Sequence, residues 1–200
     1  MDPKAMHSIS YGLYILTARE GEKDNGCVIN TLQQAASSPN TISVSVNKQN
    51  YTHDMILRTG KFNVSILDKT VPFEVFQHYG FQSGRDAEKF VDGGTVRGEN
   101  GICYIPTYTN AYLGGEVFET VDLGSHTLFL ARVTEGEVLS GNPSVTYADY
   151  HASIKPKPQP AKKKGWRCKV CGYVYEGEEL PADFTCPLCK HGPEDFEPVG

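Results

Sequence analysis

Two hundred residues carry 19 basic and 24 acidic side chains, a formal charge of −5 that is spread unevenly: residues 1–154 hold 11 Lys/Arg against 17 Asp/Glu, residues 155–165 hold five Lys, and residues 166–200 hold three against seven. Two acidic bodies joined by a basic strip exclude the nucleic-acid binders, which gather positive charge on a folded face. No apolar run approaches the length of a membrane-spanning helix and Met1-Asp2-Pro3-Lys4 leads into no signal-like stretch, so no membrane association is expected and the expected location is the cytoplasm.

In chain order, Ile9–Leu16 is rich in aromatic and branched residues and predicts a strand, residues 19–26 a polar turn, and Cys27–Asn30 a second extended segment that completes a hairpin. After a Ser-Ser-Pro-Asn turn at 37–40, residues 41–47 alternate strictly. Ile42, Val44 and Val46 face one way and polar residues the other, the pattern of a half-buried strand. A short helix is predicted over 52–59, opened by Thr52 and stopped before Gly60; a strand follows over 62–67 and a second short helix over 72–79 with Pro72 at its start. Residues 80–115 show no clear period. Strands over 116–121 and 126–133 flank a Leu-Gly-Ser turn, and the region ends at Tyr147-Ala148-Asp149-Tyr150-His151.

Five or six short strands with scattered short helices predict a mainly β domain, a closed antiparallel barrel with additions rather than alternating parallel β/α units. No GxGxxG follows a strand and no phosphate-binding loop motif is present. The expected domains are residues 1–154, long enough to hold a core, and residues 166–200, too short to fold on apolar burial alone. Between them the Pro/Lys-rich linker 155–165 favours an extended path; at ~3.1 Å per residue it reaches roughly 30 Å.

The chemistry of the short domain lies in Cys168-Lys169-Val170-Cys171 and Cys186-Pro187-Leu188-Cys189, separated by fourteen residues. Two Cys-x-x-Cys turns facing each other make a tetrahedral sulfur cage for one metal ion, iron or zinc. In a reducing compartment such a cluster holds metal rather than disulfides, whereas Cys27 and Cys103 stand alone and read as small core residues. Together with Trp166, Gly172, Tyr173, Tyr175, Phe184 and Phe196, these cysteines make the segment resemble the rubredoxin family, in particular the short rubredoxin-like domain of rubrerythrins. The resemblance implies an Fe(Cys)4 electron carrier; the spacing alone leaves a structural zinc ribbon open. Lys190 stands where the family has Gly after the fourth ligand, which calls for a left-handed lysine beside the metal.

An electron carrier needs a donor. The runs Gly12–Leu16, Gly26–Leu32 and Ser37–Asn47, the loop Ser83-Gly84-Arg85-Asp86-Ala87-Glu88-Lys89-Phe90, and Leu123–Phe129 resemble the flavin-reductase-like FMN-binding split barrel, the loop being similar to its flavoredoxin branch. The resemblance implies a homodimer with FMN at the subunit interface. The residues expected to hold FMN are Asn30, Thr31, Leu32, Gln33 and Gln34, then Asn47, Lys48, Tyr51 and Thr52 at a helix start, with Ser83, Arg85, Lys89 and His126 added by matching the family's loop and histidine. No side chain is expected to act as nucleophile or general acid, because the flavin carries the chemistry. The expected function is electron transfer from NAD(P)H through FMN to the iron centre and on to a redox partner such as a diiron or flavodiiron reductase of oxygen or nitric oxide. Two other readings are a flavin reductase that releases reduced FMN, and a flavin-storage or sensing protein with a zinc ribbon.

Overall fold

The computed structural model describes residues 2–90, 96–156 and 165–199; the linker expected over 155–165 lies, apart from Lys155, Pro156 and Gly165, outside the described residues. Tyr14–Glu20 (β1) and Lys23–Ile29 (β2) pair antiparallel with Glu20 opposite Lys23, so the turn between them is two residues and not the long polar loop expected. Apart from the turn residues Gly21 and Glu22, that stretch lies in strands, and two of its charges are met in place. Arg19 pairs with Glu22, and Asp24 with Arg97. The chain before β1 is also less extended than expected, since Pro3–Ser8 forms 3-10 turns and β1 begins only at Tyr14.

Gln33–Ser37 (β3) and Asn40–Asn47 (β4) form the next hairpin, and β4 keeps the predicted alternation with Ile42, Val44 and Val46 buried. Tyr51–Thr59 (α1) ends at Gly60, whose N–H donates to Ile56 O at 2.8 Å. Lys61–Leu67 (β5) and Phe73–Gly80 (α2) follow near their expected places. The aperiodic middle holds only the small hairpin Val96–Arg97 (β6) and Cys103–Tyr104 (β7) among its described residues before β8 begins. Thr109–Asp122 (β8) and His126–Val138 (β9) are much longer than their apolar cores suggested. Register shifts at Gly114/Gly115 and Val117/Glu119 break their alternation, and such bulges add the twist that coils a sheet.

The strands hydrogen-bond in the order β2-β1-β5-β8-β9-β4-β3, all antiparallel. The order ends at β2 and β3, so the barrel is split and not closed. Strand β1 is buried on both faces. Leu16 joins the inner cluster of Val44, Val46, Met55, Phe62 and Phe129, while Ile15 joins an outer cluster of Leu67, Phe73, Phe76, Val145 and Tyr150. Helix α2 and the segment after Val145 therefore form a second layer over the barrel wall, which matters because the short domain rests there.

That domain is a three-stranded sheet of Gly165–Cys168 (β10), Val174–Tyr175 (β11) and Phe196–Val199 (β12) in the order β11-β10-β12. Phe184 packs on Tyr175 and Phe196 at ring-centroid distances of 4.7 and 5.3 Å, giving the predicted aromatic core, and the four cysteines are buried against it. No helix among the described residues is long and apolar enough to cross a membrane.

Candidate cofactor cleft and metal centre

The two Cys-x-x-Cys turns are built alike. Gly172 N–H donates to Cys168 O and Lys190 N–H to Cys186 O, both at 2.9 Å, while Cys168 N–H donates to Tyr173 O at 2.8 Å and Cys186 N–H to His191 O at 2.9 Å. Closing each knuckle this way drives its fifth residue left-handed: Gly172 has φ 82° and Lys190 φ 62°. Glycine takes that conformation freely, whereas for lysine it costs on the order of 1 kcal/mol. The four Sγ atoms lie within 4.8 Å of one another, with Cys168–Cys189 and Cys171–Cys186 at 3.5 Å. A tetrahedral ion with metal–sulfur bonds of ~2.3 Å has sulfur–sulfur edges of about 3.8 Å, so the cage fits one metal.

Burial pushes the Cys171 thiol up to about 12 and also raises Cys189, although the N–H groups of Tyr173 and His191 bond their sulfurs. At Cys186 burial acts upward too, but the N–H groups of Cys189 and Leu188 and the neighbouring thiols outweigh it and hold the thiol low. Amides already aimed at sulfur are what a four-thiolate centre needs, since its own charge must be met within the fold. The ion itself brings the remaining compensation, so binding releases protons.

A cleft of about 490 Å³ opens beside α1 and α2, bordered by Tyr51, Thr52, Ser83 and Lys89 on the barrel and by Val170 and His191 of the metal domain. Lys89 is 5 % exposed, and its Nζ donates to Gly26 O at 2.8 Å and Tyr79 O at 3.1 Å. Burial lowers its pKa. An ammonium buried on two carbonyls, with no carboxylate in its hydrogen bonds among the described residues, suits an anionic group or the electron-rich edge of a ring. Arg85 lies outside the cleft lining, over the Tyr51 ring at 5.0 Å, as does Lys23 at 5.1 Å; Arg85 is paired with Asp54 at 2.6 Å and Lys23 with Glu88 at 3.4 Å. His53 and Arg85 hold the Asp54 carboxyl low. Gly84 packs so closely on the Asn25 amide that a Cβ there would overlap it, which lets the 83–86 loop close over the cleft wall. The same amide donates to Thr52 Oγ1 at 2.9 Å.

The remaining predicted residues form a second group along β3, β4 and β9. Asn47 lies opposite His126, Lys48 N–H donates to Ser125 O at 3.0 Å, and Lys48 Nζ pairs with Asp122 at 2.7 Å. The Asn47 side chain caps its own turn by accepting from Gln49 N–H at 2.9 Å, and His126 Nδ1 meets Ser125 Oγ at 2.9 Å. Asn30 is half-buried just past β2, and the Thr31 hydroxyl is tied to Ser45, donating to its carbonyl at 2.6 Å. Leu32 packs on the inner core, while Gln33 and Gln34 are exposed on β3. These residues do not line the Lys89 cleft. Sequence reasoning missed Asn25, Cys27, Phe81, Val170 and His191, which do. Cys27 is buried as expected, its thiol pushed up by burial, yet it stands on the cleft wall, a placement no local pattern signals.

The geometry is thus a split antiparallel barrel whose cleft holds one buried lysine, with residues flanking a four-thiol cage on the far side of the same cleft. Residues 6–155 match the flavin reductase like domain and residues 166–197 the rubrerythrin, rubredoxin-like domain. The chain belongs to the flavin reductase-like family, extended by a rubredoxin-like domain, and is an oxidoreductase. It is 38% identical to the high molecular weight rubredoxin of Moorella thermoacetica over 100% of both chains. To the ferric-chelate reductase (NAD(P)H) of Archaeoglobus fulgidus it is 36% identical over 78% of this chain and 93% of that one. Among solved structures, the FMN-binding protein from Thermus thermophilus superposes with a TM-score of 0.63 at 22% identity, covering 70% of this chain and 76% of the other, which shows the shared fold.

Proposed function

We propose that this protein takes electrons from NAD(P)H through FMN to iron held by Cys168, Cys171, Cys186 and Cys189, and passes them to an external redox protein such as a diiron or flavodiiron reductase. The observation that carries this reading is the shared cleft: Val170, next to Cys171, and His191, two residues past Cys189, border the same space as Tyr51, Thr52, Ser83 and Lys89. A flavin held in the cleft would supply two-electron hydride chemistry coupled to one-electron release, and iron held by the four cysteines would supply a one-electron carrier. The chain's own part is to bind and orient. Lys89 would meet the ring edge or phosphate, Arg85 and Lys23, paired with Asp54 and Glu88, stand over the Tyr51 ring beside the cleft, and Tyr51 and Thr52 open α1 toward it.

The residues 30–34, 47–48 and 126 belong to this reading as a second half of the flavin site, completed by a second copy of the chain. In support, β3 is exposed at every residue, and the β8–β9 hairpin exposes Phe118, Val121 and Leu123. The domain limits 1–154 and 166–200 fit the same division of labour. The proposal is tested on protein purified from iron-replete cells. Flavin and about one iron per chain, with a ferric-thiolate absorption that NADH or NADPH bleaches without oxygen, are expected. Stoichiometric zinc in place of iron would overturn it in favour of a structural ribbon.

A further inference from the structure

The metal domain touches the barrel through both knuckles. Val170, between the first two ligands, borders the cleft, and its carbonyl accepts from Lys155 Nζ at 3.4 Å. Leu188, between the second two, packs against the outer barrel cluster that includes Leu13, Phe73, Phe76 and Tyr150. His191 sets its ring edge to Phe81 at 6.5 Å, and Phe81 packs against the barrel cluster and the cysteine cluster alike. Each of the three contact residues on the metal domain is within two positions of a ligand. A single knuckle would leave the domain free to roll about one contact, whereas two knuckles of matched geometry fix the orientation of the cage toward the cleft.

We propose that Val170, Leu188 and His191 form a docking face whose partner is the Phe81 wall of the same chain, and that this two-knuckle contact positions the metal centre for transfer within one chain. The inference rests on the electron path proposed above and adds where that path crosses between domains. The contact rests on three side chains and one long hydrogen bond. Leu188 acts as a positioning residue outside the cleft, while His191 both meets Phe81 and forms part of the cleft wall.

The test uses the full chain loaded with zinc, which keeps the cage diamagnetic, and reads backbone relaxation by NMR. In the parent protein the amides of residues 166–199 tumble with the barrel. Leu188→Glu narrows their lines at least twofold while metal content and barrel resonances stay unchanged. His191→Ala, which keeps the carbonyl that closes the knuckle, gives the same direction with a smaller effect. Independent tumbling in the parent protein, or no change in Leu188→Glu with the cage intact, overturns the proposal. In protein loaded with flavin and iron, Leu188→Glu leaves flavin reduction by the nucleotide unchanged and slows iron reduction at least tenfold; an unchanged iron rate also overturns it. If the parent protein passes no electrons from flavin to iron, the functional reading fails, and the relaxation data still decide the docking face.

Discussion

At the scale of single residues, two lysines carry the most information. Lys190 has φ 62° beside the fourth ligand, so Lys190→Gly relieves strain and is expected to stabilise the metal domain by about 1 kcal/mol, read as slower metal release to a chelator. Removing that cation also favours the more oxidised, less negative centre, and the iron potential shifts downward in a redox titration. Lys89 is the opposite case, a charge kept buried at a cost. Its folded pKa lies below the ordinary ~10.4 of lysine, so the unfolded chain binds more protons between the two values. Stability of the flavin-free protein therefore rises as pH climbs from Lys89's depressed pKa toward the ordinary value. Lys89→Met abolishes that rise, stabilises the flavin-free protein by about 1 kcal/mol or more at neutral pH, and weakens flavin binding at least tenfold. Denaturant midpoints between pH 7 and 10 and flavin titration check these outcomes.

At the scale of elements, Asp68 at the end of β5 joins the barrel to the segment that supports the metal domain. It is 2 % exposed, accepts from Thr70 N–H at 2.8 Å and Thr70 Oγ1 at 2.5 Å, and receives the Asn142 amide at 3.0 Å. Burial pushes its carboxyl up, but these donors together hold it below the usual range. The stabilisation is thus fully present above the unfolded value of ~3.9 and is lost as pH falls through the lower folded value. Asp68→Ala is expected to cost about 1–3 kcal/mol at pH 7, and the difference from the parent protein shrinks toward pH 2 in denaturant unfolding. Elements with a strong local pattern were readable from sequence. The alternation of Ile42, Val44 and Val46 gave β4, and Thr52 and Gly60 bracketed α1 to within a residue. Strands β2, β8 and β9 were cut short, because charged ends that project to solvent and the Gly114-Gly115 bulge look like loop, while β3 was missed because Gln33–Ser37 is exposed throughout and has no buried side to alternate with.

At the scale of the whole molecule, the four cysteines and their left-handed fifth residues were legible because metal ligation imposes local spacing. The cleft was only half legible. Ser83 and Lys89 came from a loop motif, which also offered Arg85 although it stands outside the lining, but Val170 and His191 reach the cleft through the packing of one domain on another, which leaves no mark on neighbouring residues. The division also predicts separable stability. Stripping the metal with chelator in mild acid, where thiolates protonate and affinity falls, should unfold residues 166–199 and leave the barrel's β-sheet circular dichroism and flavin content intact. Loss of flavin on metal removal would instead make the two domains one cooperative unit.

The central claim is that electrons cross from flavin bound by the barrel to iron held by the four cysteines without leaving the protein. Anaerobic rapid mixing of the flavin- and iron-loaded protein with NADH or NADPH, followed at both absorption bands, tests it most directly. The flavin band should bleach first and the ferric-thiolate band after it, at a rate unchanged by tenfold dilution of protein; Cys171→Ser should keep the first phase and lose the second. A flavin that is reduced while the iron stays ferric, or an iron phase that slows in proportion to dilution, would contradict the claim.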